Sequence, residues 1–213
     1  MALTGSALTR LVIVRGNSGS GKSSVALAVR SQLGRTCALV AQDVIRRTIL
    51  KERDVPGGAN IGLISTVARY ALDAGFHVIV EGILHAERYG DMLAALAADH
   101  RGRTGVYYLD VSFDESLRRH ATRPRVSEFG PEHMREWYRE RDLLGLPGEQ
   151  LVPHASGLQD TVGRIIFDVF DQPQERYAAP DAPVSLASPY VSEHLDSCSG
   201  VSRRLARPVS DTQ

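Results

Sequence analysis

Residues 16–23 read Gly16-Asn17-Ser18-Gly19-Ser20-Gly21-Lys22-Ser23, the pattern G-x-x-x-x-G-K-S, between an apolar run and a helical pattern. That spacing suits the grip of a polyphosphate. Glycines let successive backbone N–H groups turn inward around phosphate oxygens, and the positive end of the following helix adds to the field. Lys22 supplies a compact, mobile cation for the β- and γ-phosphates. The Ser23 hydroxyl can ligate the Mg²⁺ that bridges them. Gly16, Asn17, Ser18, Gly19, Ser20, Gly21, Lys22 and Ser23 are therefore candidate nucleotide-binding residues. Lys22 is also catalytic, Ser23 is the metal ligand, and Ser24 is a second phosphate contact.

Three further groups of residues could act beside that loop. Asp43 follows Val40-Ala41-Gln42, and Glu81 ends the run His77-Val78-Ile79-Val80. Both stand where an open parallel sheet gathers its ligands. Glu81 can hold an acceptor hydroxyl, support Mg²⁺ through water, or cap the turn at Gly82; Asp43 can equally cap the helix after it. Arg46 and Arg47, one turn beyond Asp43, either hold an anionic part of the acceptor or lie on the surface. The segment Leu117–Arg125 carries Arg118, Arg119, Arg123 and Arg125. Such density repels itself unless anions neutralise it, and planar guanidiniums suit phosphate oxygens and the spread charge of a phosphoryl transition state. A lid over the nucleotide, about residues 118–135, would use that chemistry. The alternative is a solvated helix end paired with Glu128, Glu132 and Glu136.

The elements that must position these groups alternate along the chain. Strands are expected at Leu11 to Arg15, Cys37 to Ala41, His77 to Val80, Thr104 to Asp110 and Gln150 to Val152. Helices are expected at Lys22 to Leu33, Val44 to Glu52, Ile61 to Ala74, Glu87 to Asp99, Glu115 to Ala121, Pro131 to Leu144 and Asp160 to Phe170. Alternation of this kind signals βαβ units around a mostly parallel sheet, hence an α/β fold with helices on both faces. Met134, Trp137 and Tyr138 read as packing residues of the helix that carries them. Residues 55–60, Val-Pro-Gly-Gly-Ala-Asn, form a loop expected beside the acceptor cavity.

Composition narrows the field. The 213 residues suit one core, assigned to 1–171, and 172–213 hold five of the ten prolines without apolar periodicity, which reads as a poorly structured tail. Formal charge is zero, against a partner bound by broad electrostatics such as nucleic acid or anionic membrane. Of the 25 basic residues only Lys22 and Lys51 are lysines, and one of these occupies the phosphate loop. No apolar run approaches the ~20 residues that span a bilayer, and the N-terminus has no secretory pattern, so a cytoplasmic protein is expected. Cys37 and Cys198 suggest neither a disulfide framework nor a zinc site, and Cys37 reads as a buried thiol. His85 and His154 have no partner at metal spacing.

The loop at 16–23, the acids Asp43 and Glu81, and the pair Arg119 and Arg123 at R-x-x-x-R spacing resemble the nucleoside-monophosphate-kinase-like P-loop kinases. The chain is most similar to the branch that includes gluconate kinase, shikimate kinase, chloramphenicol phosphotransferase and the zeta-toxin kinases. There is no N-K-x-D segment of the GTPases and no Asp-Glu strand end of the motor ATPases. The resemblance covers roughly residues 10–170. It implies a five-stranded parallel sheet in order 2-3-1-4-5 with a helical lid, ATP and Mg²⁺ as cofactors, and transfer of the γ-phosphoryl group to a hydroxyl of a small molecule such as a sugar, nucleoside or antibiotic. It also implies Asp43 as general base in contact with the acceptor, Arg119 against the adenine or its phosphates, Arg123 on the γ-phosphate, and the segment 153–157 around the base. A polynucleotide-end kinase, or a nucleotide-dependent binding module without transfer, are the alternatives. Neither the acceptor nor the oligomeric state is legible.

Overall fold

The computed structural model describes residues 2–121 and 130–171. Five strands alternate with helices: β1 (Arg10–Gly16), α1 (Lys22–Leu33), β2 (Cys37–Ala41), α2 (Ala59–Asp73), β3 (His77–Gly82), α3 (Ala86–Asp99), β4 (Arg103–Asp110), α4 (Phe113–Ala121), α5 (Pro131–Trp137), β5 (Gln150–Pro153) and α6 (Leu158–Phe170). All ladders are parallel and the strand order is β2-β3-β1-β4-β5, as the resemblance implied.

β1 is the central strand, and all seven of its residues are buried. Because successive side chains of a strand point to opposite faces, its apolar run feeds two cores. Leu11 and Ile13 pack with Val40, Ile64, Val80 and Leu93 on one face. Val12 and Val14 pack with Val25, Val29, Leu109 and Ile165 on the other. Cys37 lies in the second core as a free thiol, and burial pushes its pKa up to about 11.

The main departures from the expected elements follow Asp43 and Trp137. The residues after Asp43 form a single π-helical turn, Val44–Ile49, rather than a helix reaching Glu52. The Glu52 carboxylate explains the stop, because it accepts from the backbone N–H groups of Ala59 (2.6 Å) and Asn60 (2.8 Å) and so caps α2. α2 accordingly begins two residues before the expected Ile61. The helix expected to reach Leu144 ends at Trp137. Residues 138–149 instead cross the strand ends as an irregular strap. The strap is pinned by Arg15, whose side chain is fully buried and donates to Asp142 (2.9 Å), Glu149 (3.4 Å) and the Leu84 carbonyl (3.0 Å). The expected tail at 172–213 and the part of the expected lid at 122–129 lie outside the described residues.

Candidate active site

β1 delivers the phosphate loop to the middle of the sheet edge where strands end. Gly19 and Gly21 carry φ of 84° and 99°, a backbone region that side chains disfavour, and a Cβ on Gly19 would stand 2.8 Å from the Ser116 carbonyl oxygen. α1 then starts at Lys22 with no side-chain cap and no acid in its first turn. Its first N–H groups and its positive pole are thus directed to whatever anion the loop holds.

Lys22 is buried and donates to the Asn17 carbonyl (2.8 Å). That bond holds the ammonium over the loop. The Asn17 side chain makes contacts separate from the backbone N–H groups expected to hold phosphate. Its Nδ2 donates to the Arg139 carbonyl (2.7 Å) and to the Tyr108 hydroxyl (3.2 Å), while its Oδ1 accepts from the Arg139 N–H (2.9 Å). Asn17 therefore ties the loop to the strap.

Glu81 reaches the loop from β3, the neighbour of β1, and accepts from the Ser23 hydroxyl at 3.2 Å. Burial pushes its carboxyl above the usual range, with Asp43 acting in the same direction; Lys22 and the Ser23 hydrogen bond oppose the rise. A divalent cation bridging phosphates needs a hydroxyl and a carboxylate at this position, and Ser23 and Glu81 fit that requirement. Among the described residues there is no cluster of three or more His, Cys, Asp or Glu that could hold a metal by themselves. A Mg²⁺ that keeps its waters and shares phosphate oxygens does not need one.

Asp43 is largely exposed and does not cap the turn that follows it. It is bonded instead to Arg46 and Arg47, each at 3.1 Å. The two arginines then diverge. Arg46 turns back to the Glu52 carbonyl (3.4 Å), whereas Arg47 lines a cavity of about 950 Å³. That cavity joins Ser18, Gly19, Lys22 and Ser23 to Asp43, Arg47 and Glu81, so part of the phosphate loop and three of the four expected acceptor residues meet in one space. Trp137 and His120 also line it. Met134 packs in the interior as expected, and Trp137, at the helix end, lies against His133 with ring centroids 5.9 Å apart and also faces the cavity. The loop at 55–60 is absent from the cavity wall among the described residues. It is anchored by Glu52, and beside it Asp54 pairs with Arg88 (3.1 Å) and accepts from Tyr89 (2.6 Å).

A second cavity of about 410 Å³ opens on the other side of the loop, between Ser20, Gly21 and Ser24 and the segment 153–157. Arg119 spans it. The guanidinium donates to the Ser20 carbonyl (3.3 Å), the His154 carbonyl (3.1 Å) and Glu115 (2.6 Å). Arg118 and Arg119 together bring the Glu115 carboxyl down to about 2. His85 is buried in its own surroundings, with Nδ1 at 3.7 Å from Asp142, too far for a hydrogen bond. Arg123 lies outside the described residues.

A central phosphate loop, a carboxylate from the adjacent strand and a cavity on either side define a P-loop protein of the nucleoside-monophosphate-kinase-like fold. Residues 11–142 match the family described as an AAA domain, and the chain belongs to that family. No curated protein matches the sequence. Among solved structures, the chain is similar to the APS kinase of Mycobacterium tuberculosis in complex with AMPPNP and APS, at 21% identity and a TM-score of 0.56, covering 77% of this chain and 96% of that one. It is also similar to a sugar kinase from Janibacter sp. HTCC2649, at 17% identity and a TM-score of 0.54, covering 75% and 94%. These likenesses establish the shared fold. No described helix is long and apolar enough to cross a membrane.

Proposed function

We propose that this protein is an ATP- and Mg²⁺-dependent phosphotransferase that moves the γ-phosphoryl group to a hydroxyl of a small molecule. The observation that carries this reading is the single cavity in which Lys22 and Ser23 of the phosphate loop face Asp43, Arg47 and Glu81. A nucleotide-binding module without transfer would have no need of a carboxylate and an arginine on the far wall of the phosphate site. The APS kinase solved in complex with AMPPNP and APS, and the sugar kinase, support the reaction class through their shared fold.

The chemistry is mainly positioning and charge neutralisation. The cavity beside Arg119 would take the base of ATP, and the amides of Gly19 to Ser23 would take its phosphates. Ser23, with Glu81 behind it, would hold Mg²⁺, which would supply Lewis-acid charge to the transferring group. The acceptor enters the larger cavity with its hydroxyl toward Asp43. Its oxygen forms a bond to Pγ as the bond from Pγ to the β-bridging oxygen breaks, the proton passes to Asp43, and ADP leaves with the electron pair. Lys22 neutralises the charge that builds on the transferring group, and Arg123 is assigned to the same charge.

Incubation with ATP, Mg²⁺ and a panel of hydroxyl acceptors, read by mass for the gain of one phosphoryl group, tests the reading. One acceptor should gain the group in step with ADP release. Asp43→Asn should lower the rate by at least two orders of magnitude while leaving AMPPNP binding intact. ADP release with no phosphorylated product from any acceptor would refute transfer.

A further inference from the structure

The larger cavity has two kinds of wall. One carries Lys22, Ser23, Asp43 and Glu81, the groups the reaction uses. The other carries Leu27 from α1, Leu39 from β2, Val44 from the π-helical turn, Ile83 after β3, and Trp137 at the end of α5. Leu27 and Val44 are 54% and 51% exposed and belong to neither core. Single apolar side chains on a surface are ordinary, but several from five segments converging on one concave site with an aromatic ring mark a surface meant to be covered.

The polar complement of that wall is small. Among the described residues beyond the phosphate loop, the side chains of the lining able to hydrogen-bond an acceptor are Asp43, Arg47, Thr48, Glu81, His120 and, through its indole N–H, Trp137. Asp43 is bonded to Arg47 (3.1 Å), and Glu81 accepts from Ser23 (3.2 Å). A polyhydroxylated acceptor loses a water partner at every hydroxyl it buries, and each loss must be replaced by a protein group. Leu27, Leu39, Val44 and Ile83 replace none of them. Resting on the kinase reading above, we infer that the acceptor bears its reacting hydroxyl on a largely apolar, ring-bearing body and is not a polyol. The apolar body lies along Leu27, Val44 and Trp137, and the hydroxyl reaches Asp43.

Trp137 is the sole tryptophan of the chain, so its emission reports occupancy of this cavity without any turnover. The full chain, saturated with AMPPNP and Mg²⁺, is titrated with 1-phenyl-1,2-ethanediol and 1-naphthyl-1,2-ethanediol, and separately with D-gluconate, D-ribose and glycerol. The aryl diols should change the emission saturably, with half-saturation at least tenfold below that of any polyol, and the naphthyl compound should bind more tightly than the phenyl one. Leu27→Asn and Val44→Asn, both at exposed positions outside the two cores, should each raise the aryl-diol half-saturation about tenfold. Polyols that saturate as tightly as the aryl diols, aryl diols that give no saturable change, or variants that bind them unchanged would each overturn the inference. Phosphorylation of a polyol in the mass experiment would end this inference and leave the kinase reading standing. Tight aryl-diol binding with no ADP release from any acceptor would end the kinase reading and leave the cavity's preference standing.

Discussion

The hydroxyl of Ser23, in the first turn of α1, donates to the carboxylate of Glu81, at the end of β3, over 3.2 Å. The contact exists because β3 lies directly beside β1, with Glu81 in register with Val14 just ahead of the loop. It brings an acid to the residue that would hold Mg²⁺, at the cost of burying that acid.

That cost can be measured. Burial raises the Glu81 carboxyl above its ordinary value, so the folded chain binds this proton more tightly than the unfolded chain does. The contribution of the group to stability is complete below the unfolded pKa of about 4.3 and is lost as pH rises through the folded pKa. Glu81→Gln, which still accepts from Ser23 but never ionises, should therefore raise the Tm of the nucleotide-free protein at pH 7.5, and the gain should vanish near pH 4. The same variant should lower kcat by about a hundredfold and raise the Mg²⁺ concentration needed for half-maximal rate. A Tm that falls at pH 7.5 would show that the ionised carboxylate is a net stabiliser here.

Lys22 offers a cleaner separation of binding from catalysis. Its ammonium is held by the Asn17 carbonyl at 2.8 Å and lies inside the cavity wall. Lys22→Ala should retain the fold, since the loop's shape depends on glycines and on Asn17, yet remove about 3 kcal/mol of transition-state stabilisation, about two orders of magnitude in rate. Lys22→Arg should rescue little, because the planar guanidinium is longer and cannot sit as a point charge beneath two phosphates. ADP release at an unaltered rate from either variant would remove Lys22 from the mechanism.

The loop and the βαβ alternation were legible because each is written in consecutive residues: G-x-x-x-x-G-K-S, and the apolar runs of β1 and β3. Glu81 was found from its place at a strand end, but its bond to Ser23 follows from strand order, which periodicity does not contain. The π-helical turn was not legible, because Val44–Ile49 has an ordinary helical pattern and its end is imposed by Glu52 capping a helix seven residues further on. The strap failed for a related reason. Its residues read as a continuation of α5, and what unwinds them is the buried Arg15 and the side chain of Asn17, both distant in sequence. The cavity-facing position of Trp137 was not legible either, since it depends on where the helix ends.

Asn17 should act through that strap. Its side chain makes three hydrogen bonds to Arg139 and Tyr108. Asn17→Ala leaves the Arg139 N–H and carbonyl without those partners, at about 1–3 kcal/mol in total, or roughly 6 °C in Tm for a domain of this size. The amide of Arg139 should exchange with deuterium much faster, and the KM for ATP should rise as the loop loosens. Unchanged exchange at Arg139 would mean that Arg15, through Asp142 and Glu149, holds the strap unaided.

The opposite end of the sheet carries a separate pH dependence. His100 is buried between Thr9 (3.0 Å to Nε2) and Thr104 (2.9 Å to Nδ1), and its pKa is pushed down to about 4 first by burial, then by Arg10 and His77. His77 is lowered as well, by burial and by Arg10. Both imidazoles are therefore neutral in the fold at pH values where the unfolded chain has protonated them. Their stabilising contribution is present above the unfolded pKa of about 6.5 and declines as pH falls toward 4. Glu81 acts in the reverse sense over an overlapping range, so the comparison has to be made between variants at each pH. His100→Gln, which keeps a polar group at the Nε2 position facing Thr9 and cannot titrate, should lose less Tm than the native protein as pH falls from 6 to 4.5. Parallel Tm curves for the two proteins across that window would show that His100 titrates in the fold as it does in the open chain.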